Sequence, residues 1–308
     1  MEHTSENNNP MNRTEYDRRL IGPDSYEYFN EISKSCQNKF VSLIKWQIYF
    51  LSAIALVSIF PPLINYENIK LFSLLLLIIG VLIFMIIQYK ENYMAGWQKA
   101  RFLSESIISN CWLLIFKHEN YNTAYTKALS TFHERIKEMK KEIDIKNFLS
   151  IVEAPNNDND NPEWIQANFN SSIQAKKEFY IKQRIDDQIM WYTKKATYNT
   201  TNSNKYFAVG LLCMIIGMIL TILVLVNFIP NLSYLGFFTT IAASIFSWKQ
   251  TKRFEELKTT YSVTADELKD FKKLILNTNS EDKLREIIFN TEKAISREHK
   301  LWFSRVLE

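Results

Sequence analysis

Glycine, proline, cysteine and histidine are all scarce in this chain. Six glycines and seven prolines in 308 residues leave little material for tight turns or Gly-rich phosphate loops, which suits a helical protein. Three cysteines, none in a CxxC spacing, exclude a disulfide scaffold and are read as free thiols. Of the four histidines, His118 and His133 each precede a glutamate, but neither has a second His at i+4, so no zincin-like metal site is expected. GxxxxGK[ST], GxGxxG and GxSxG are all missing. The expectation is no catalytic residue, no cofactor and no metal: a non-enzymatic protein. A net charge of +4 is too small over this length to argue for nucleic acid.

Charge is also missing in a more telling way, from long stretches. No charged residue occurs from Trp46 to Tyr66, from Leu71 to Tyr89, or from Tyr206 to Trp248. About 20 apolar residues in a helix cross a ~30 Å hydrocarbon core. The last run is long enough for two crossings joined by the turn at 227–231. The reading is an all-α membrane protein with two transmembrane helical hairpins. Its four transmembrane helices are placed at 43–62, 70–89, 206–228 and 233–249. Soluble core helices seldom stay uncharged for so long, and here the pattern comes in pairs. Residues 1–40 are polar, which excludes an N-terminal signal peptide.

Basic residues set the orientation. Arg18, Arg19, Lys34, Lys39 and Lys45 precede the first span; Lys90, Lys99 and Arg101 follow the second. Lys194, Lys195 and Lys205 precede the third; Lys249, Lys252 and Arg253 follow the fourth. The connections within the hairpins hold only Lys70. Both termini and the middle region are therefore expected in the cytoplasm, in a multi-pass protein of the inner membrane.

An offset of 162 residues overlays the hairpins and brings Glu105 onto Glu267. The repeat is one of architecture, not of motif. Four regions are expected: a polar tail over 1–24, a first hairpin with its cytosolic helices over 25–152, a linker over 153–175 and a second such module over 176–308. After the fourth span, Phe254, Leu257, Tyr261, Thr264, Leu268, Phe271 and Ile275 form an a/d seam. After the second, Trp97, Ala100, Ser104, Ile107, Cys111 and Leu114 form another. Each exit helix is expected to run on into the cytosol. Its partner is either the helix entering the same hairpin or the same stripe in another subunit. The stretch 277–280 should break the last helix pair, with Ser280 able to cap the final helix.

The spans carry no ionisable residue in their interiors, which argues against a coupled transporter. They do carry small and polar residues at helical spacing. These are Ser52, Ala55 and Ser58 in the first span, and Cys213, Gly217 and Thr221 in the third. In the fourth, Gly236, Thr240, Ser244 and Ser247 share a face. Two readings stand: close helix packing, or a hydroxyl-lined path in a homo-oligomer.

On the helix entering the second hairpin, Tyr180, Arg184, Asp187, Gln188 and Trp191 fall on one face at 3.6-residue spacing. That face can bind a partner or bond internally, for instance to Glu255, Glu256 or Glu267. The stretch YIKQRIDDQIMWYTKKA before the hairpin and WKQTKRFEELKTTYSVTADEL after it resemble the SLATT family, the SMODS and SLOG-associating two-transmembrane effector domains. WQIYF and GWQKARFLSESI in the first half resemble a more divergent member, which lacks the RxxDQxxWY element. The resemblance implies a tandem membrane effector of bacterial conflict or antiviral defence systems. It further implies that the bilayer is breached on a signal from a separate nucleotide-synthesising or nucleotide-sensing partner. The alternative is a membrane-anchored scaffold or sensor that recruits a cytosolic partner without conducting.

Overall fold

The computed structural model describes residues 22–59, 67–154, 162–230 and 234–307, with side chains through Arg297. The 1–21 part of the polar tail, 60–62 of the first span, the 155–161 part of the linker, Asn231 of the second turn and residue 233 of the fourth span lie outside the described residues. All regular structure among the described residues is helical.

The helices are α1 Asp24–Ile59, α2 Glu67–Glu91, α3 Tyr93–Ile115, α4 Tyr125–Glu142, α5 Glu163–Phe169 and α6 Ile173–Tyr180. A π-turn over Ile181–Ile185 joins α6 to α7, Asp186–Leu225; then come α8 Tyr234–Thr251, α9 Phe254–Asn277 and α10 Glu281–Leu307. Shifted by 162 residues, α3 falls on α9 and α4 falls within α10, so the repeat extends beyond the hairpins. Three helical segments are long and apolar enough to cross a membrane: Asp24–Ile59, Glu67–Ile115 and Ile173–Leu225. At 18 residues, α8 is shorter.

The exit helices do not run on unbroken as expected. Asn92 (φ 41°) separates α2 from α3, and Arg253 (φ 52°) ends the turn between α8 and α9. Both breaks use a left-handed residue at nearly the same place in the repeat. At the far end of the third span, Asn227 (φ 58°) closes α7. The Phe228 N–H donates to the Leu223 carbonyl at 2.9 Å and the Asn227 N–H to Val224 at 3.0 Å, a Schellman closure in which Asn takes the place usual for Gly.

The chain forms two compact units. Of the described residues, the hairpin unit comprises 32–59, 67–99, 191–230, 234–265 and 305–307. Within it α2 has no buried residue, although Leu71, Phe72, Leu75, Leu76, Leu82 and Ile83 make it strongly apolar. An apolar helix with no buried residue needs lipid rather than water around it. The pairs are antiparallel: Trp46 stacks on Phe84 at 6.3 Å, and Gly210 and Gly217 of α7 lie under Phe246 and Phe238 of α8.

Of the described residues, the helical unit comprises 22–31, 100–154, 162–190 and Asp266–Ser304. Its central helix is α3, buried on nearly every side from Leu103 to Ile115. Small residues at Ala100, Ser104, Ser109 and Cys111 let neighbours approach. The expected 153–175 linker is only partly one. Within it α5 buries Ile165 and Phe169 completely or nearly so, and Trp164 packs on Trp112 at 5.5 Å. Three apolar residues among Asn, Asp and Pro are too short a pattern for periodicity to reveal, but enough to dock one helical turn on α3.

Both seams are largely buried, with Trp97, Leu257 and Phe271 half-buried, and the second finds its partner within the chain. Tyr261 meets Trp191 at 5.3 Å and Tyr192 at 5.5 Å, and Lys272 pairs with Asp186 at 2.6 Å. That is the helix entering the same hairpin, one of the two partners the period allows.

A buried ion-pair cluster as the candidate functional site

The helical unit contains a carboxylate and a guanidinium with almost no access to water. Arg184 is 7% exposed and Glu292 of α10 is 2% exposed. The Arg184 Nη2–Glu292 Oε2 distance is 2.9 Å, and Arg184 Nε also donates to Oε1 at 3.2 Å, giving a two-point fork. The Glu292 carboxylate accepts two further bonds of 2.8 Å, from the hydroxyls of Tyr180 and Ser109. Arg184 also lies 3.7 Å from Glu105, which holds Arg101 at 2.6 Å one helical turn back. The cluster joins residues of both sequence halves: Arg101, Glu105 and Ser109 from the first, and Tyr180, Arg184 and Glu292 from the second.

Local backbone geometry makes this possible. The π-turn inserts an extra residue just where Arg184 sits, which rotates α7 by about 100° relative to α6. Ser172 caps α6 by accepting the Ala175 N–H at 3.3 Å. Tyr180, fully buried, is wedged between Trp112 at 5.0 Å and Phe116 at 5.5 Å, and this fixes its hydroxyl toward Glu292.

Burial in low dielectric would pull the Arg184 pKa down, but the adjacent Glu292 and Glu105 more than offset this and hold the guanidinium charged. Burial, then the Glu292 charge, pushes the Tyr180 phenol well above its ordinary value, so it stays protonated and donates to Glu292. Tyr26 is pushed up to about 12, by burial first and then by Glu105. The arrangement is an electrostatic joint, costly to assemble and costly to open.

A second set of cations closes the C-terminus of α3. Lys176, 4% exposed, donates to the Ile115 carbonyl at 2.9 Å, and Arg285 Nε donates to Phe116 at 3.2 Å. Both satisfy orphan carbonyls where the helix dipole favours positive charge. Burial, then Lys117, lowers the Lys176 pKa to about 8.

The structure divides the face expected over 180–191. Tyr180 and Arg184 enter the cluster, Asp187 and Gln188 are half-buried, and Trp191 belongs to the hairpin unit against Tyr261. A uniform helical period misses the π-turn between them. Arg184 bonds Glu292 and Glu105, not Glu255, Glu256 or Glu267; Glu267 instead holds Arg297 at 3.0 Å. Sequence reasoning missed Glu292 altogether. The one signal was an acid on the otherwise apolar face of α10, between Ile288 and Ile295.

In the spans, Gly217 is buried under Phe238, and Thr221 donates to its carbonyl at 2.8 Å. Thr240 and Ser58 likewise bond the carbonyls four residues back, at 2.8 and 2.7 Å. Ser52 is half-buried, Ser244 buried, and Gly236 and Ser247 exposed, so the fourth-span residues do not share one environment.

Fold and site together define a class: an all-helical membrane protein of two hairpin modules, whose remaining helices meet at a buried ionic joint. Comparison with family models agrees. Residues 23–163 match SMODS and SLOG-associating 2TM effector domain 3, and residues 180–302 match SMODS and SLOG-associating 2TM effector domain 1. The chain belongs to the SLATT family and carries two of its effector domains in tandem. No curated protein and no solved structure matches it.

Proposed function

We propose that the protein is a non-enzymatic inner-membrane effector of a bacterial conflict system, with four spans and both termini in the cytoplasm. The ionic joint ties the soluble helices of the two modules together and holds the resting state. A signal from a partner, for which a nucleotide second messenger is the leading chemistry, opens that state. Copies of the chain then oligomerise and the bilayer leaks. The observation that carries this reading is the pair of effector domains joined through one buried cluster. The basic residues flanking every span support the orientation. The test is membrane potential after induction with neighbouring gene products, read with a voltage-sensitive dye. Collapse that is lost in Thr240→Leu/Ser244→Leu supports the effector; a steady potential and unchanged viability refute it.

The second reading is a scaffold or sensor that recruits a cytosolic partner. It is favoured by the span hydroxyls bonding their own backbones and the glycines filled by phenylalanine, which is packing chemistry. Recruitment that survives Thr240→Leu/Ser244→Leu without any leak in the wild type would support it.

A further inference from the structure

Where the uncharged runs end, lysines from two segments meet over one indole, and a third lysine lies within electrostatic reach on α7. Lys45 of α1 and Lys252, just after α8, place their ammonium groups 5.7 and 5.1 Å from the centre of the Trp248 ring. Lys195 of α7 lies over Trp191 at 5.9 Å and Tyr198 at 5.7 Å. All of these residues belong to the hairpin unit. The charges feel one another: burial lowers the Lys252 pKa, and Lys45 and Lys195 lower it further. Lys195 is lowered by burial and by Lys194.

Among the described residues no carboxylate pairs with Lys45, Lys195 or Lys252. Glu255 is engaged elsewhere, with Lys249 at 3.5 Å, with Lys258, and with the Ser203 hydroxyl at 2.5 Å. Two uncompensated ammonium groups on separate segments are held over one ring against their repulsion, and Lys195 adds to the positive field. A phosphate would relieve that repulsion, with lysines acting as point charges and the indole at the edge of the apolar layer. Depth selects the source. Lys45 directly precedes the uncharged run at Trp46, and Lys252 follows Trp248 by one helical turn, so the cluster sits at headgroup level.

We propose that Lys45 and Lys252, both over the Trp248 ring, form a headgroup site for an anionic phospholipid. The proposal rests on the membrane reading above, and flotation with phosphatidylcholine liposomes tests that reading separately. A chain that fails to float overturns the membrane placement and the site with it. For the site itself, the full chain in detergent is titrated with phosphatidylglycerol, phosphatidylcholine and inorganic phosphate, with bound lipid counted by native mass spectrometry. Phosphatidylglycerol should bind at least ~10-fold tighter than phosphatidylcholine. Lys45→Gln/Lys252→Gln should weaken it by about 25-fold, at roughly fivefold per lysine near a charged surface. Lys269→Gln/Lys273→Gln, which removes lysines already paired with Asp266 and Asp270, should change neither affinity. Equal affinity for the two lipids overturns the site, as does an unaffected Lys45→Gln/Lys252→Gln variant. Displacement of the lipid by inorganic phosphate at comparable concentration overturns the lipid assignment.

Discussion

Removing the Glu292 carboxylate is the sharpest perturbation of the joint. In Glu292→Ala the Arg184 guanidinium loses contacts of 2.9 and 3.2 Å and, among the described residues, keeps Glu105 at 3.7 Å, itself shared with Arg101. The Tyr180 and Ser109 hydroxyls lose their acceptor in the same step. Deleting one partner of a buried pair costs about 3–5 kcal/mol, because the other charge stays buried without compensation. That is a large part of the ~5–15 kcal/mol that holds a typical domain folded. Removing both charges, in Arg184→Met/Glu292→Leu, leaves no stranded cation and should recover about 2 kcal/mol or more relative to the single variant. Hydrogen exchange in the full chain reads this locally. Amides of α3, α6 and α10 should lose protection by at least ~100-fold in Glu292→Ala, while α7 beyond Tyr206 and α8 keep theirs. A loss under about fivefold, or a double variant worse than the single, would refute the joint as a structural lock.

Other outcomes rest on the same geometry. The folded-state pKa of Lys176 lies at about 8, below its ordinary value of 10.5, so the unfolded chain binds more protons between those values. Its contribution is therefore fully present above about 10.5 and lost as pH falls through 8. The stability difference between wild type and Lys176→Gln, followed by thermal melts in detergent, should rise in favour of wild type from about pH 8 to about pH 10. A flat difference would sink the argument. Gly217→Ala places a Cβ 2.9 Å from the Phe238 Cβ, which cannot rotate away, and should cost about 1–3 kcal/mol. Gly236→Ala meets nothing within 4 Å and should be neutral or stabilising by up to ~1 kcal/mol in the same melts. Burial raises the Cys36 thiol to about 11, so maleimide labelling near neutral pH should be at least ~100-fold slower in the native than in the denatured chain. Fast native labelling would show that the start of α1 opens readily.

The hairpin helices were legible because their signal is local. An uncharged run of about 20 residues is stabilised in lipid whatever the rest of the chain does. The seams after each hairpin were legible for a similar reason, since period alone names the buried positions of a long helix. The breaks at Asn92 and Arg253 left little trace, because Arg is not a usual helix terminator and a lone Asn is a weak stop beside a long apolar run. The α5 helix was hidden by its flanking Asn, Asp and Pro.

Composition and spacing by themselves determined that this chain is helical, carries uncharged segments long enough to cross a membrane and repeats itself. Each of these comes from the transfer of a contiguous stretch out of water. Only the tertiary structure decided that Arg184 meets Glu292, 108 residues away, and Glu105 on the other module. Buried charges choose partners by three-dimensional proximity in low dielectric, and a π-turn that no spacing announces sets where Arg184 points. The lysines about Trp248 were each visible as flanking charges, but their convergence needed the hairpins folded against one another.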